Sequence, residues 1–345
     1  MQNKLSLIQK LPLFQLFFLA FALLWSTETN AQFNKEIGDW ESHLPLQIAK
    51  HVTQSDEYIY YSTELSINRI DKEEFVGQFY SKIDGFSEVG VSQIAYDKQG
   101  DQLIVAYVTG AIDIVNADGT IQTIQDLKLN TTFIEKEINK IIVTDNRRIL
   151  YATRFGILVQ NADNYFFEFT TNMETEVFEL TQRNNELYAA TAEGIYKFIE
   201  ADNSNPGDFT KWELQDGEVG LPAIYEAKDI EVFGDELYAI VDNQVYKTNA
   251  GAWELFDAEE NRTFQFISSE GSDLLIGGFD DGVSFIDLVK SDGSKIPSTT
   301  CCGNSMIDAI QTEDGSIWYA DNWHGIRHQS EHNKACSSIL FNSPY

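Results

Sequence analysis

The sequence predicts an all-β fold, a seven-bladed β-propeller, and three observations carry the prediction. One short pattern recurs seven times along the chain: an apolar strand, a small residue, a polar turn and a second apolar strand. The recurrence averages ~43 residues, within the spacing of four-stranded propeller blades. No long window keeps a 3.6-residue apolar period. Instead Tyr, Phe, Val and Ile crowd short segments cut by Gly, Asn and Asp, which favours strands over helices.

The seven copies run in order. They are YIYYSTELSINRI from Tyr58, QLIVAYVTGAIDIV from Gln102, ILYATRFGILVQ from Ile149 and ELYAATAEGIYKF from Glu186, then ELYAIVDNQVYKT from Glu236, DLLIGGFDDGVSFI from Asp273 and SIWYADNWHGIRHQ from Ser316. Ile59, Leu103, Ile149, Leu187, Leu237, Leu275 and Ile317 are equivalent positions. An alternating strand precedes each copy, as in INKIIVTDNR and DIEVFGDE, and ends in the Asp, Asn or Gly turn a hairpin requires. Most copies are followed by a polar-aromatic outer strand such as NYFFEFTT or AWELFDAEE, which completes four strands per blade. The seventh copy lacks such a strand before the chain turns polar. The segment IGDWESHLP, with Trp40 placed like Trp212 and Trp253 of the outer strands, is therefore expected to complete the last blade from the N-terminus and remove the exposed edge.

Residues 1–31 read as a secretory signal peptide: Lys4 and Lys10 precede the apolar run LPLFQLFFLAFALLW, and TNA ends the segment before Gln32. The run is shorter than the ~20 residues of a membrane-spanning helix. The expected organisation is a leader at 1–31, a propeller at 32–332 and an irregular tail at 333–345. Charge excludes one class of partner. With 24 Lys and Arg against 54 Asp and Glu, a net charge of −30, the chain repels nucleic acid. Cys301, Cys302 and Cys336 are too few for a disulfide framework, and a pairing of Cys336 with either of the others stays open.

Chemistry-bearing motifs are sparse. His324, His328, His332 and Cys336 are spaced four apart, which would align zinc ligands on a helix, but the segment reads as turn and strand and spreads them along a line. DNSNPGD at 202–208 imitates a calcium loop yet contains Pro206 and lacks the distal Glu, so it reads as a hairpin tip. No metal or cofactor is expected. Nucleophile elbow, phosphate loop and histidine-zinc motifs are all missing, which points away from an enzyme. Any ligand surface is expected on the face formed by the turns between second and third strands, where Tyr107, Arg154, Phe155, Trp323 and His324 supply aromatic rings and a guanidinium suited to a sugar or a partner loop.

The segment DGFSEVGVSQIAYDKQGDQLIVAYVTGAIDIV (84–115), with GDWESHLP near the N-terminus, resembles the first propeller of the PorZ family, accessory proteins of type IX secretion in the Bacteroidota. More loosely, DGSIWYADNWHGI (314–326) resembles the two-component regulator propeller repeat. The first resemblance implies a non-enzymatic, surface-exposed protein in an attachment complex with the sortase-like peptidase PorU and the outer-membrane proteins PorV and PorQ. It also implies binding and delivery of anionic lipopolysaccharide. Members of that family carry a second propeller and a C-terminal secretion domain, so the chain is expected to be a truncated or frame-shifted product, surface-associated if full-length and periplasmic otherwise. The second resemblance implies the alternative, a periplasmic glycan-sensing propeller.

Overall fold

The computed structural model describes residues 44–201, 204–297, 305–330 and 337–338, and in them the chain forms seven four-stranded antiparallel sheets. Each sheet takes its strands in sequence order, and the first strand of each packs against the first strands of both neighbouring sheets. These first strands are therefore innermost, in a ring of seven blades. They span His51–Gln54, Val91–Asp97, Ile138–Val143, Val177–Arg183, Ala227–Phe233, Arg262–Ser268 and Met306–Gln311. All seven equivalent positions noted above fall in second strands, from Ile59 in Tyr58–Ser62 to Ile317 in Ile317–Asp321. The leader, Trp40, Cys301, Cys302, His332 and Cys336 lie outside the described residues.

Side chains alternate across each strand, so every blade presents an apolar set to both neighbours. Seven buried clusters result, one in each gap between blades. The gap between blades two and three shows the rule: Ile104, Ile112 and Ile114 of one blade meet Ile138, Ile141 and Tyr151 of the next. A fully buried aliphatic or aromatic side chain contributes about 1.5–3 kcal/mol, so the ring is held mainly by these gaps.

A second regularity concerns the innermost strands. In six blades the pairing register slips by one residue near the start, as between Val91 and Gln93, Val177 and Glu179, Ala227 and Asp229, and Met306 and Asp308. Blade three has the same slip between Ile138 and Lys140. Such a bulge re-aims the side chain that follows it. Several of these side chains hook the next blade: Gln93 Nε2 donates to Asn139 O at 2.9 Å, Ile267 N donates to Asp229 Oδ2 at 2.8 Å, and Val52 N donates to Asp308 Oδ2 at 3.0 Å.

The last of these bonds closes the ring, because Val52 is in blade one and Asp308 in blade seven. Ile59, Tyr61 and Ile70 pack there against Ile310, Trp318 and Ile326. Gln54 Nε2 adds a bond to Gln311 O at 2.9 Å, and Gly325 N donates to Gln47 O at 2.7 Å. The fourth position of blade seven, which the sequence assigned to the N-terminal strand around Trp40, is held by Ser337–Ser338 paired with Arg327 and His328. This places two residues of the expected irregular tail in the sheet. A short return from the preceding strand closes a smaller loop than a segment brought from the far terminus, and costs less entropy.

Candidate functional site

Residues that follow the bulges collect near the axis. Lys140 Nζ stands 2.8 Å from Glu179 Oε2, and Ser269 Oγ donates to Glu231 Oε2 at 3.1 Å. Burial pushes the carboxyls of Asp229 and Glu270 up to about 7 and that of Asp308 to about 6, with Lys140 pulling against it in each case. Burial also works against the Lys140 ammonium, but Glu179, Glu231, Asp229 and Asp308 together hold it well above its usual range. His51 is driven down to about 3 by burial and by the nearby Lys140 and Lys50. Among the described residues no three His, Cys, Asp or Glu side chains are arranged to hold a metal ion. The axial set is an ion-pair network belonging to the scaffold.

A groove with ligand-like chemistry lies elsewhere, between blades one and two. Tyr60 faces Arg69 across the second and third strands of blade one, and Arg69 faces Gln78 of the fourth. Period-two alternation puts Tyr58, Tyr60, Arg69 and Tyr80 on the side turned to blade two. Blade two answers with Tyr96, whose ring stacks on Tyr60 at 5.5 Å and 14°. The Arg69 guanidinium lies over Tyr58 at 4.4 Å and over Tyr80 at 5.7 Å, and its Nη2 donates to Gln78 Oε1 at 2.6 Å. Below these rings, the buried Phe86 and Leu103 floor a cavity of about 160 Å³ rimmed by Asp84, Asp101 and Asn116. It adjoins a basin of about 470 Å³ lined by Asp56, Glu57 and Lys98. Turns between first and second strands edge this groove, so it opens on the face opposite to the one the sequence suggested.

The five residues expected to form a surface are not brought together. Tyr107 ends the second strand of blade two, is buried, and donates its hydroxyl to Asp113 Oδ2 at 2.7 Å. Arg154 sits in the turn of blade three between Glu137 at 3.3 Å, Glu135 at 3.6 Å and Glu176 at 3.7 Å. Beside it Phe155 stacks on Phe133 at 3.7 Å. Trp323, 72% exposed, and His324, whose Nδ1 is 3.0 Å from Asp321 Oδ1, belong to the turn of blade seven. Blades three and seven are not neighbours in the ring. His328 of the four-spaced series packs against both Trp318 and Phe75, at 4.6 and 5.3 Å, and burial lowers its pKa. The sequence carried only half of the groove's signal, YIYYS with tyrosines two apart and Arg69 on the paired strand; the half from blade two, Tyr96, joins it only when the blades meet.

Residues 59–213 match the family described as the N-terminal β-propeller domain of PorZ of the type IX secretion system. No curated protein matches the chain in sequence. Among solved structures, PorZ of Porphyromonas gingivalis, described as an essential bacterial surface component of that system, superposes with a TM-score of 0.73 at 18% identity, covering 89% of this chain. The chain spans about 40% of that protein's length. The WD40 propeller of Doa1 follows at TM-score 0.63 and 13% identity, covering 82% of this chain and 92% of that one. The extracellular domain of the putative one-component system BT4673 of B. thetaiotaomicron gives 0.52 and 12%, covering 84% of this chain and 46% of that one. The chain is a seven-bladed β-propeller, and its residues 59–213 are similar to the PorZ N-terminal β-propeller domain.

Proposed function

We propose that this chain is a non-enzymatic binding and scaffold propeller of the type IX attachment complex, exported and acting at the cell surface with a PorU-like sortase, outer-membrane partners and anionic lipopolysaccharide. The observation that carries the reading is the match over residues 59–213, which begins within blade one and takes in most of the open tyrosine groove. Deleting the gene and fractionating the cells tests it. Type IX cargo is expected to leave the surface and appear unanchored in the medium. Unchanged cargo attachment refutes the reading.

A second reading, a periplasmic glycan-sensing propeller, draws on the fold shared with the extracellular domain of BT4673. On that reading the deletion leaves cargo attachment intact and abolishes a transcriptional response to a glycan.

A further inference from the structure

We propose that the groove between blades one and two binds one uncharged sugar ring of a glycan. The inference deepens the reading of the chain as a binding propeller and rests on it.

Shape supports a ring with continuations. The inner cavity is narrow, and it shares Tyr60, Arg69, Tyr96 and Asp101 with the wider basin outside. A ring seated inside leaves room for its neighbours in a chain to lie in the basin. The chemistry is that of a saccharide site. A pyranose offers C–H groups on its faces and hydroxyls around its edge, so it is complemented by apolar and aromatic surface with a few polar groups at the rim. Phe86 and Leu103 supply the floor, the tyrosines the walls, and Asp84, Asp101 and Asn116 the edge partners. The rim is held in place beforehand: Ser81 N donates to Asp84 Oδ2 at 2.8 Å, Tyr80 donates to Gln78 Oε1 at 2.6 Å, and the Tyr96 hydroxyl donates to Asp101.

Charge selects among sugars. The carboxylates of Asp56, Glu57, Asp84 and Asp101 outnumber the cations of Arg69 and Lys98, on a chain of net charge −30. A phosphate or sulfate group is repelled by that field. Arg69 is no free anion hook, since its planar faces and one donor are already engaged by Tyr58, Tyr80 and Gln78. A guanidinium already lies over Tyr58 and Tyr80, so a ligand cation would meet a like charge at those rings. An uncharged ring avoids both repulsions.

The test is saturation-transfer NMR on the full chain with the methyl glycosides of glucose, galactose, mannose and N-acetylglucosamine, and with glucose 6-phosphate. At least one neutral glycoside is expected to receive saturation on its ring C–H protons. Tyr80→Ala and Asp101→Ala are each expected to weaken that binding at least tenfold, while Tyr80→Phe, which keeps the ring, stays within about threefold; circular dichroism confirms folding. Two results overturn the proposal: no saturation of any neutral glycoside, or a preference for glucose 6-phosphate. Binding unmoved by both alanine variants overturns the location. Cargo attachment in cells carrying Tyr80→Ala separates the two readings. Lost glycoside binding with intact attachment leaves the sugar site standing and separates it from the secretion role, which the gene deletion decides, whereas failed attachment on gene deletion with no glycoside binding sinks the sugar site and keeps the secretion role.

Discussion

Lys140 and Glu179 meet at 2.8 Å across the gap between blades three and four, and each is the residue that follows a β-bulge in its innermost strand. The bulge therefore does more than bend the strand. It sets one ammonium among Glu179, Glu231, Asp229 and Asp308, so the inner ring is an electrostatic lock as well as a packed one. Replacing Lys140 with Met leaves these carboxylates facing one another. Breaking a fully buried pair costs about 3–5 kcal/mol; with the Lys140 side chain 28% exposed, a loss of about 1–3 kcal/mol is expected, read by differential scanning fluorimetry as a lower Tm. Adding Glu179→Leu to that variant is expected to restore part of the loss. A single variant that melts like the parent removes the lock from the account.

Buried axial carboxyls also fix the direction of the pH dependence. Asp229 and Glu270, raised to about 7, and Asp308, raised to about 6, hold protons in the folded chain that the unfolded chain releases near pH 4. Their contribution is complete below about pH 4, falls as pH rises from there, and is lost once pH passes the folded values near 6 to 7. His51, lowered to about 3, works the other way, because the unfolded imidazole gains a proton below about 6.5. Three groups outnumber one. Tm is expected to rise by several degrees between pH 8 and pH 5.5, and Asp229→Asn to raise Tm at pH 8 while flattening the profile. A Tm that falls steadily over that range contradicts the assignment.

The contrast between what the sequence announced and what it concealed has a physical reason. Blade number and the second strands were legible because the apolar period of two and the turn residues repeat at every copy, as at Leu187 and Leu237. The bulges were not, since a one-residue insertion such as Ser92 between Val91 and Gln93 changes no hydropathy pattern. Tyr107 looked like a surface aromatic from its place beside a turn. As the last residue of a strand it instead points into the gap between blades, where its hydroxyl donates a hydrogen bond to Asp113. Arg154 looked free because its three glutamates come from separate stretches, Glu135 and Glu137 on one side and Glu176 on the other. Tyr58, Tyr60, Tyr80 and Tyr96 read as ordinary strand aromatics, and only the pairing of two blades turns them into one groove.

Gly325 offers a narrow test of how the ring closes. Its φ is +76°, and a Cβ there stands 2.7 Å from Leu46 O, on the approach that lets its N–H reach Gln47 O. Alanine meets both a left-handed backbone and a carbonyl that cannot yield easily. Gly325→Ala is expected to lower stability by about 1–3 kcal/mol and to speed amide exchange at Ala49, which donates to Asp321 O in the same seam. Unchanged exchange there places the closing contacts elsewhere.

Trp318 tests closure farther from the axis. It is buried in the cluster shared by blades seven and one, and Phe75 reaches over from blade one to stack on it at 5.7 Å and 20° while His328 flanks it at 4.6 Å. Trp318→Ala removes the largest side chain of that gap and leaves a cavity bounded by rigid strands. The expected cost is about 3–5 kcal/mol, or roughly 6–20 °C in Tm at about 2–4 °C per kcal/mol. Phe75→Ala, at a ring 45% exposed, is expected to cost no more than about half as much. The discriminating measurement is hydrogen exchange blade by blade. If the two blades are held chiefly to each other, exchange rises first in blades one and seven; an equal rise in all seven shows instead that the ring opens as one cooperative unit with no preferred seam.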